Sequence, residues 1–415
     1  MRVILHNSRS ARGPGLLATI GLLLLWAAVP QRCPAAPVQT GAEQLLEQHL
    51  DELAGRRVGL VMNPTARIGP DHVLDRLLER RVQITALFAP EHGFRGEAGP
   101  GEHIIDGRDQ ASGLPVFSLY GASRRPTPAM LAQVDLLLFD MQDVGVRCYT
   151  YIATLGLVLQ AAAQAEIPVW VLDRPNPLGG VYVSGWTLEE EFRSFVGPYP
   201  IPLAHGLTMG EMALMIAGEG WLDFERPPAV RVIPMRGWRR VMRWPDTGLD
   251  WVAPSPNLPT FDHAFLYAGT VFFEGTTLSE GRGTDDPFLV LGAPDTALSA
   301  ADLAALAAIE GVRIRPHSFT PQSIPGVAPD PKHRDQTCQG IRVEIQSHDI
   351  DPIRTGLRLL QILYQATPSA QTKPILHRLS GTKQIDAILN GTLDPQTAPF
   401  DTDDFRTRRT PYLLY

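Results

Sequence analysis

The chain contains little cysteine. Only three cysteines occur in 415 residues, which excludes a disulfide framework and also excludes a zinc site built from thiolates. Cys33 lies in an N-terminal segment that we expect to be removed. Cys148 and Cys338 remain, and they allow at most one disulfide.

Several motifs that identify common enzyme classes are absent. No GxGxxG follows the first predicted strand and no GxxxxGK[ST] occurs, so binding of a dinucleotide or of a phosphate loop ligand has no support. Neither a GxSxG elbow nor an HExxH zinc motif is present. A site formed by Asp140, Asp143 and scattered histidines is the remaining metal alternative. We predict neither a metal nor a cofactor.

Basic residues are also fewer than acidic residues. The 37 basic and 44 acidic residues give a formal net charge of −7. Residues 1–35 hold four arginines and no acid, so their removal changes this charge to −11. Binding of nucleic acid requires a basic surface, and we therefore predict no nucleic-acid partner.

Long hydrophobic runs are missing except in residues 16–29. This run is shorter than the roughly 20 residues of a membrane span. Arginines precede it and small residues follow it, which is typical of a secretory signal. We expect residues 1–36 to be a signal peptide, and the mature protein to be periplasmic or extracellular in a bacterium without stable membrane insertion. A retained anchor and lipid attachment at Cys33 are the alternatives.

What the sequence does contain is an alternation of apolar strands and helices. Strands are predicted at 57–63, 84–89, 116–120, 134–140 and 168–173, and helices at 71–81, 128–133 and 151–165. Nearly continuous apolar strands that alternate with helices indicate an α/β fold. We predict a Rossmann-like domain with a mainly parallel sheet over residues 37–229.

The regular alternation of strands and helices ends after about residue 225. Strands are predicted within the proline-rich stretch 226–238 and at 312–316 and 341–346, and helices at 299–309 and 352–364. Residues 251–269 contain too many prolines to predict a regular element. We predict a smaller α+β domain over residues 230–415 that completes a cleft with the first domain.

Polar residues gather where the predicted strands of the first domain end. These ends are Asn63, Glu91, 140–143 and 173–176. Ligands of open α/β sheets bind beyond the carboxyl ends of the strands. The sequence therefore predicts a site at this edge of the sheet.

The stretch PEHGFRG supplies Glu91, His92 and Arg95 among glycines. A carboxyl group at an apolar strand end is partly excluded from water, which favours its protonated form and suits a general acid. The alternative is a Glu–Arg ion pair that fastens the loop.

A second cluster combines carboxylate, amide, guanidinium and aromatic groups, which together suit sugar recognition: Asp140, Gln142, Asp143, Arg147, Tyr149 and Tyr151. A third cluster, Asp173, Arg174 and Asn176, lies in the stretch LDRPNPLGG, whose prolines and glycines fix the directions of these side chains. In both clusters the alternative is a network that braces a loop.

A fourth cluster lies in the stretch FEGTTLSEGRGT. Arg282 stands between glycines and is placed to bind a carboxylate through two hydrogen bonds, with Thr284 close by. Glu274 and Glu280 are acids that would pair with Glu91 across a cleft.

Taken together, PEHGFRG, FDMQDVGVRCYTYI, LDRPNPLGG and LSEGRGTDDPF resemble the NamZ-type exo-β-N-acetylmuramidases, in the same order and with similar spacing. The resemblance extends from about residue 45 to residue 415. It implies a two-part fold and release of non-reducing terminal β-N-acetylmuramic acid from peptidoglycan fragments. It also implies that Glu91 is the catalytic acid.

The second catalytic role stays open at this point. Glu280 would act as a nucleophile at about 5–5.5 Å from the acid, or a carboxylate would act as a base at about 6.5–9.5 Å. The substrate's own 2-acetamido group is the third candidate, oriented by Asp143 or Asp140. For the lactyl carboxylate of muramic acid, Arg282 is the predicted partner.

Two other functional classes share these residues. A secreted muropeptide- or glycan-binding protein would use the same cleft without a titrating acid at Glu91. A metal-dependent esterase or amidase would lose activity on chelation. The oligomeric state is not predicted.

Overall fold

The computed structural model describes residues 37–95, 105–222 and 226–415. The predicted signal peptide, with Cys33, lies outside the described residues, as does the end of the PEHGFRG loop from residue 96. No helix within the described ranges is both long enough and apolar enough to cross a membrane. Cys148 and Cys338 are buried free thiols and form no disulfide with each other.

The strands are short and are numbered in chain order. They are β1 (Val58–Met62), β2 (Arg67–Ile68), β3 (Asp71–His72), β4 (Ile84–Ala89), β5 (Gly107–Arg108), β6 (Pro115–Ser118), β7 (Leu136–Asp140), β8 (Val169–Leu172), β9 (Ser184–Thr187), β10 (Pro202–Ala204), β11 (Val230–Ile233), β12 (Val290–Ala293), β13 (Val312–Phe319) and β14 (Cys338–Ile345).

The α-helices are numbered in the same way. They are α1 (Gly41–Gln44), α2 (Val73–Glu79), α3 (Pro128–Leu131), α4 (Tyr151–Gln164), α5 (Met209–Gly218), α6 (Phe261–Thr270), α7 (Ala300–Ala307), α8 (Pro352–Gln365), α9 (Ile375–Ser380), α10 (Gln384–Leu389) and α11 (Asp403–Arg409). A π-helical turn spans Leu45–His49, and short 3₁₀ turns include Val271–Gly275.

The main sheet contains seven of the described strands in the order β11-β8-β7-β1-β4-β6-β5. All neighbouring strands are parallel except β5, which runs antiparallel to β6. The chain leaves β1 toward β4 and β6 on one side, and later returns to place β7 and β8 on the other. Such a switch point opens a crevice at the carboxyl ends of the strands.

The strands of this sheet are buried on both faces. In β1, Val61 packs in one hydrophobic core, whereas Val58, Leu60 and Met62 pack in a second core on the opposite face. Successive side chains of a strand point to opposite faces, so a strand covered on both sides needs apolar residues throughout. This is why continuous apolar runs marked these strands in the sequence.

The C-terminal part contains an antiparallel sheet in the order β12-β14-β13. Its neighbours α6 and α8 pack closely, because Gly269 and Gly356 face each other and a Cβ on Gly356 would lie 2.2 Å from the Gly269 carbonyl carbon. The predicted α/β fold, with a mainly parallel sheet and a smaller C-terminal region, is confirmed. The boundary at 229/230 stays a prediction, and β11 just beyond it is an edge strand of the main sheet.

One prediction in this region was wrong. Residues 251–269 were not expected to form a regular element, yet α6 begins at Phe261, directly after Pro259 and Thr260. Nearly all of α6 is buried, so it lacks the polar face that reveals a helix in a sequence.

Candidate active site

A cavity of about 130 Å³ opens at the carboxyl ends of β4 and β6. Glu91 and His92 follow β4, and Tyr120 follows β6. Most of the remaining lining residues come from the segment before α4, from α6, from the segment 271–288 and from α9, whereas Val196 precedes β10 and Ser255 and Leu258 precede α6. The lining comprises Glu91, His92, Tyr120, Cys148, Tyr149, Thr150, Val196, Ser255, Leu258, Tyr267, Glu274, Arg282, Phe288, Ile375 and Leu379.

The carboxyl group of Glu91 is held by hydroxyl groups. Thr150, the residue directly before α4, donates a hydrogen bond from Oγ1 to Oε2 of Glu91 at 2.7 Å. The hydroxyl of Tyr120 also bonds to this carboxyl group. Burial and the charge of Glu91 raise the pKa of Tyr120 to about 12, so Tyr120 keeps its proton and donates. Both contacts fix the orientation of a half-buried carboxyl group.

The backbone after Glu91 turns sharply. His92 is buried and has a φ of +73°, a region that few residues other than glycine adopt, and Gly93 follows with a φ of +87°. The turn brings both Glu91 and His92 to the cavity wall. The glycine-rich loop thus reverses the chain directly behind the carboxyl group.

Aromatic rings connect Glu91 to the opposite end of the cavity, which contains Arg282. The rings of Tyr149 and Tyr267 lie 6.1 Å apart, and those of Tyr267 and Phe288 lie 4.9 Å apart, both edge to face. Burial raises the pKa of Tyr149 and of Tyr267 well above the usual value, so both hydroxyls are neutral. The Tyr149 hydroxyl has no hydrogen-bond partner among the described residues.

The far end of the cavity carries charge. Arg282 lies over the Phe288 ring at 5.0 Å, and its Nη2 donates to Oε1 of Glu274 at 2.5 Å. Arg282 Nε is also 3.5 Å from Glu280 Oε1. Its Nη1 is buried and makes no hydrogen bond within the described part of the chain. Arg282, with this unpaired donor, belongs to the lining of the cavity.

Glu280 lies behind this end and does not line the cavity. Lys332 Nζ is 2.8 Å from its Oε2. Burial opposes the ionisation of Glu280, but the positive charges of Lys332 and Arg282 outweigh burial and lower the pKa of Glu280 below its usual value. Glu280 is therefore an ionised carboxylate that holds two cations.

Family models for the N-terminal and C-terminal parts of exo-β-N-acetylmuramidase NamZ match residues 58–262 and 265–415. The chain belongs to the NamZ family.

Individual relatives agree with this assignment. The peptidoglycan β-N-acetylmuramidase NamZ of Bacillus subtilis (strain 168) is 41% identical over 341 residues, which cover 80% of this chain and 78% of the relative. Two solved DUF1343 family proteins from Bacteroides fragilis NCTC 9343 are 33% and 34% identical, with TM-scores of 0.79 and 0.76. Both matches cover 91% of this chain and 99% of the other. The predicted family and the predicted glycosidase class are confirmed.

Several predicted site residues of this NamZ-family chain bind one another instead of lining the cavity. Asp140 and Arg174 form a buried ion pair through Arg174 Nε and Nη2, the latter 3.0 Å from Asp140 Oδ2. Both lie at the carboxyl ends of neighbouring strands, as predicted. Their polar atoms satisfy each other, which is the loop-bracing alternative.

Arg147 is fully buried and also serves the fold. Its Nη1 donates to the carbonyls of Trp186 and Ile201 at 2.8 Å, and its Nη2 donates to those of Leu379 and Ser380 at 2.9 Å. The last two carbonyls belong to the end of α9, whose Leu379 side chain lines the cavity. Arg147 therefore contacts no substrate directly but ties a wall of the cavity to the main sheet.

Asp143 and Gln142 lie below the cavity. Gln142 Nε2 donates to the carbonyls of Asp143 and Pro175 at 2.7 Å. Asp143 Oδ2 accepts from the Gly145 amide at 2.7 Å and is 3.9 Å from Nε2 of His205. Burial raises the pKa of Asp143 to about 7 and lowers the pKa of His205 to about 3. Neither acid predicted to orient the acetamide reaches the cavity.

The other predicted contacts are structural as well. Asp173 accepts from the hydroxyls of Thr208 and Tyr415 at 2.7 Å. Asn176 Nδ2 donates to the Leu207 carbonyl at 2.9 Å.

Three more predicted residues are not part of the cavity lining. The Tyr151 hydroxyl donates to the Pro254 carbonyl at 2.8 Å, and the Thr284 hydroxyl donates to the Gly281 carbonyl at 2.7 Å. Arg95 pairs with Asp109 at 2.5 Å and with Asp75 at 3.0 Å, so the ion pair that fastens this loop does not use Glu91.

The structure also brings in residues that the sequence reasoning missed. Tyr120 is the last residue of a predicted strand, so the same rule about strand ends indicates it. Thr150 lies between the two tyrosines of the FDMQDVGVRCYTYI motif, where nothing in the sequence indicates its contact with Glu91. Tyr267 belongs to the helix that was not predicted.

Proposed function

We propose that this protein is an exo-acting glycoside hydrolase that releases non-reducing terminal β-N-acetylmuramic acid from peptidoglycan fragments, with Glu91 as the general acid. The observation that carries the proposal is that Glu91 and Arg282 line one cavity. A titratable carboxyl group and a cation with a free donor suit a sugar that bears a carboxylate. The Bacillus subtilis relative is named as an enzyme of this activity.

Glu91 would protonate the oxygen that joins the muramic acid to the next sugar. Cleavage of this bond creates positive charge on the sugar ring, and a proton on the leaving oxygen lowers the barrier. The hydroxyls of Thr150 and Tyr120 hold the carboxyl group in one orientation. A fixed orientation is needed because proton transfer requires hydrogen-bond distance to the leaving oxygen.

Arg282 would bind the lactyl carboxylate of muramic acid. Its Nη2 is used by Glu274, but its buried Nη1 has no partner among the described residues. An incoming carboxylate would satisfy this donor, whereas a glucosaminyl ring would leave it unpaired. A buried unpaired donor costs about 1–3 kcal/mol, so this contact favours muramic acid over N-acetylglucosamine.

We assign the second catalytic role to Glu274 or to the 2-acetamido group of the substrate. Glu274 is the carboxylate that shares the cavity with Glu91, while the ionised Glu280 is engaged with Lys332 and Arg282. Asp140 and Asp143 are directed into the protein, so the acetamide would instead meet the hydroxyl of Tyr149. We give Glu280 the role of positioning Arg282.

Export completes the proposal. The basic, apolar and small-residue order of residues 1–36 is that of a signal peptide, so the enzyme would meet its substrate in the periplasm or outside the cell.

A chromogenic aryl β-N-acetylmuramide tests the function. We expect the mature protein to release the aryl group, Glu91→Gln to release none, and Glu310→Gln, which changes an exposed glutamate in the same way, to match the wild type. Activity must survive a chelator. Calorimetry with N-acetylmuramic acid should show that Glu91→Gln still binds it.

The alternative is a secreted glycan-binding protein with the same cavity. Binding of muramic acid without release of the aryl group by the wild type would favour it over the glycosidase. Loss of activity on chelation would instead favour the metal-dependent esterase or amidase class, although no group of three metal-ligating side chains gathers within the described ranges.

A further inference from the structure

A cluster of two rings and a guanidinium group lies beside the cavity. We call it the Arg124 cluster, and it consists of Arg124, Phe195 and Tyr120. The Arg124 guanidinium carbon is 4.3 Å from the centre of the Phe195 ring and 5.9 Å from that of Tyr120. The two rings are 6.1 Å apart. Tyr120 lines the cavity, as does Val196, the neighbour of Phe195.

Glu91 lies between this cluster and Arg282. Tyr120 contacts Arg124 and bonds to Glu91. Glu91 also accepts from Thr150, whose neighbour Tyr149 packs edge to face on Tyr267. Tyr267 packs on Phe288, and Arg282 lies over the Phe288 ring. This chain of contacts runs from the Arg124 cluster through Glu91 and the two tyrosine rings to Arg282.

A general acid protonates the oxygen between two sugars, so the two sugars lie on either side of it. If the lactyl carboxylate is bound by Arg282, the leaving group must lie on the other side of Glu91. That side is occupied by the Arg124 cluster. This step depends on the proposed function, because it takes Glu91 as the acid and Arg282 as the carboxylate partner.

The free groups of the cluster match a sugar. Arg124 is exposed, and within the described part of the chain no hydrogen bond or ion pair engages its guanidinium group. Stacking on Phe195 holds the group in place, so that its N–H donors can reach hydroxyl and acetamide oxygens with little loss of freedom. The half-exposed ring of Tyr120 offers an apolar surface to the face of a pyranose ring.

We propose that the Arg124 cluster binds the leaving sugar of this reaction, which in a peptidoglycan fragment is an N-acetylhexosamine. Arg124 donates to its oxygens, Phe195 holds Arg124, and Tyr120 contacts its ring while bonding to Glu91. The cluster thereby selects fragments in which the muramic acid is followed by another sugar.

The test compares two substrates with different leaving groups. One is the disaccharide in which N-acetylmuramic acid is joined β-(1→4) to N-acetylglucosamine, and the other is the aryl β-N-acetylmuramide. We expect Arg124→Ala to lower the ratio of kcat/KM for the disaccharide to that for the aryl substrate by about tenfold, the usual effect of a hydrogen bond from a charged donor. Phe195→Leu should lower the same ratio by a smaller factor, because it removes only the support of Arg124.

Arg125→Ala is the matched control, since Arg125 is an adjacent exposed arginine that lies over none of the aromatic rings in the described ranges. It should keep the wild-type ratio. The inhibition constant of free N-acetylmuramic acid, which would occupy only the Arg282 side, should stay unchanged in the Arg124 and Phe195 variants.

Other outcomes would overturn the assignment. An unchanged ratio in Arg124→Ala would remove the cluster from the leaving-group site. A loss confined to substrates with a stem peptide would assign Arg124 to an anionic peptide instead. If the wild type cleaves neither substrate, the proposed function itself fails, and the leaving-group site fails with it.

Discussion

The hydroxyl of Thr150 donates a hydrogen bond of 2.7 Å to Oε2 of Glu91, and this contact sets the direction of the carboxyl group in the cavity. Valine has nearly the shape of threonine but lacks the hydroxyl. We expect Thr150→Val to lower kcat by about tenfold with little change in KM, because the hydrogen bond that orients the proton-donating carboxyl group is lost.

Thr150→Ser serves as the control for this change, since it restores the hydroxyl, and it should recover most of kcat. Steady-state kinetics on the aryl substrate measure both variants. A loss that appears equally in the serine variant would mean that shape, and not the hydrogen bond, is what matters at this position.

Arg282→Lys addresses the choice between muramic acid and its analogue. Lysine keeps the charge but loses the second arm of the guanidinium group, and with it the free Nη1 donor. We expect binding of the muramyl substrate to weaken about 10- to 100-fold, and binding of the corresponding glucosaminyl analogue to change much less. Inhibition constants measure both. Equal losses on the two ligands would remove Arg282 from the carboxylate site, while Arg315→Lys, at an exposed arginine, should change neither.

Arg147→Met tests the tie between the main sheet and α9. The change leaves four buried carbonyls without their donor. We expect the free energy of unfolding to fall by at least about 3 kcal/mol, because each unsatisfied buried group costs about 1–3 kcal/mol. Urea denaturation measures this loss. Arg378→Met, at an exposed residue of the same helix, should cost little, and similar losses in the two variants would contradict the role of Arg147.

The pH dependence of stability should report on Asp143. Its pKa is raised from 3.8 to about 7 by burial, so the native state keeps a proton that the unfolded state releases near pH 4. The stability gained by burying the neutral acid is therefore complete below about pH 4 and is lost as the pH rises to about 7. The total loss is at most about 4 kcal/mol, at about 1.4 kcal/mol per pH unit.

Asn at this position carries no titrating proton. The free energy of unfolding of Asp143→Asn should therefore rise relative to that of the wild type as the pH is raised from about 4.5 to about 7.5. Urea denaturation at several pH values across this range measures the difference. The exposed Asp250→Asn should run parallel to the wild type. Parallel curves for Asp143→Asn as well would show that the native carboxyl group is already ionised at low pH.

The strands of the main sheet were predictable because burial on both faces demands apolar residues without interruption. Ile84–Ala89 was predicted with its observed bounds, and β1, β7 and β8 differ from prediction by one or two residues at their ends. Helix α6 was not predictable in this way. Its burial on all sides removes the periodic pattern of polar residues, and the prolines before residue 260 favour irregular structure.

The location of the site was predictable from the sequence, but the hydrogen-bond and ion-pair partners of its residues were not. Polar residues do gather at the carboxyl edge, and Glu91, Glu274 and Arg282 do meet in one cavity. The sequence does not show which donor binds which acceptor. Asp140 and Arg174 form their own ion pair, a contact over 34 positions that depends on the register between β7 and β8.

Arg147 binds carbonyl groups that lie far from it in the sequence, and this separation matters while the protein is being synthesised. Its guanidinium group finds two of its four carbonyls 232 and 233 positions later in the chain. A ribosome therefore exposes most of the main sheet well before α9 has been translated. During that interval the guanidinium group has only two of its four protein acceptors, so water must take the place of the other two until the last helices arrive.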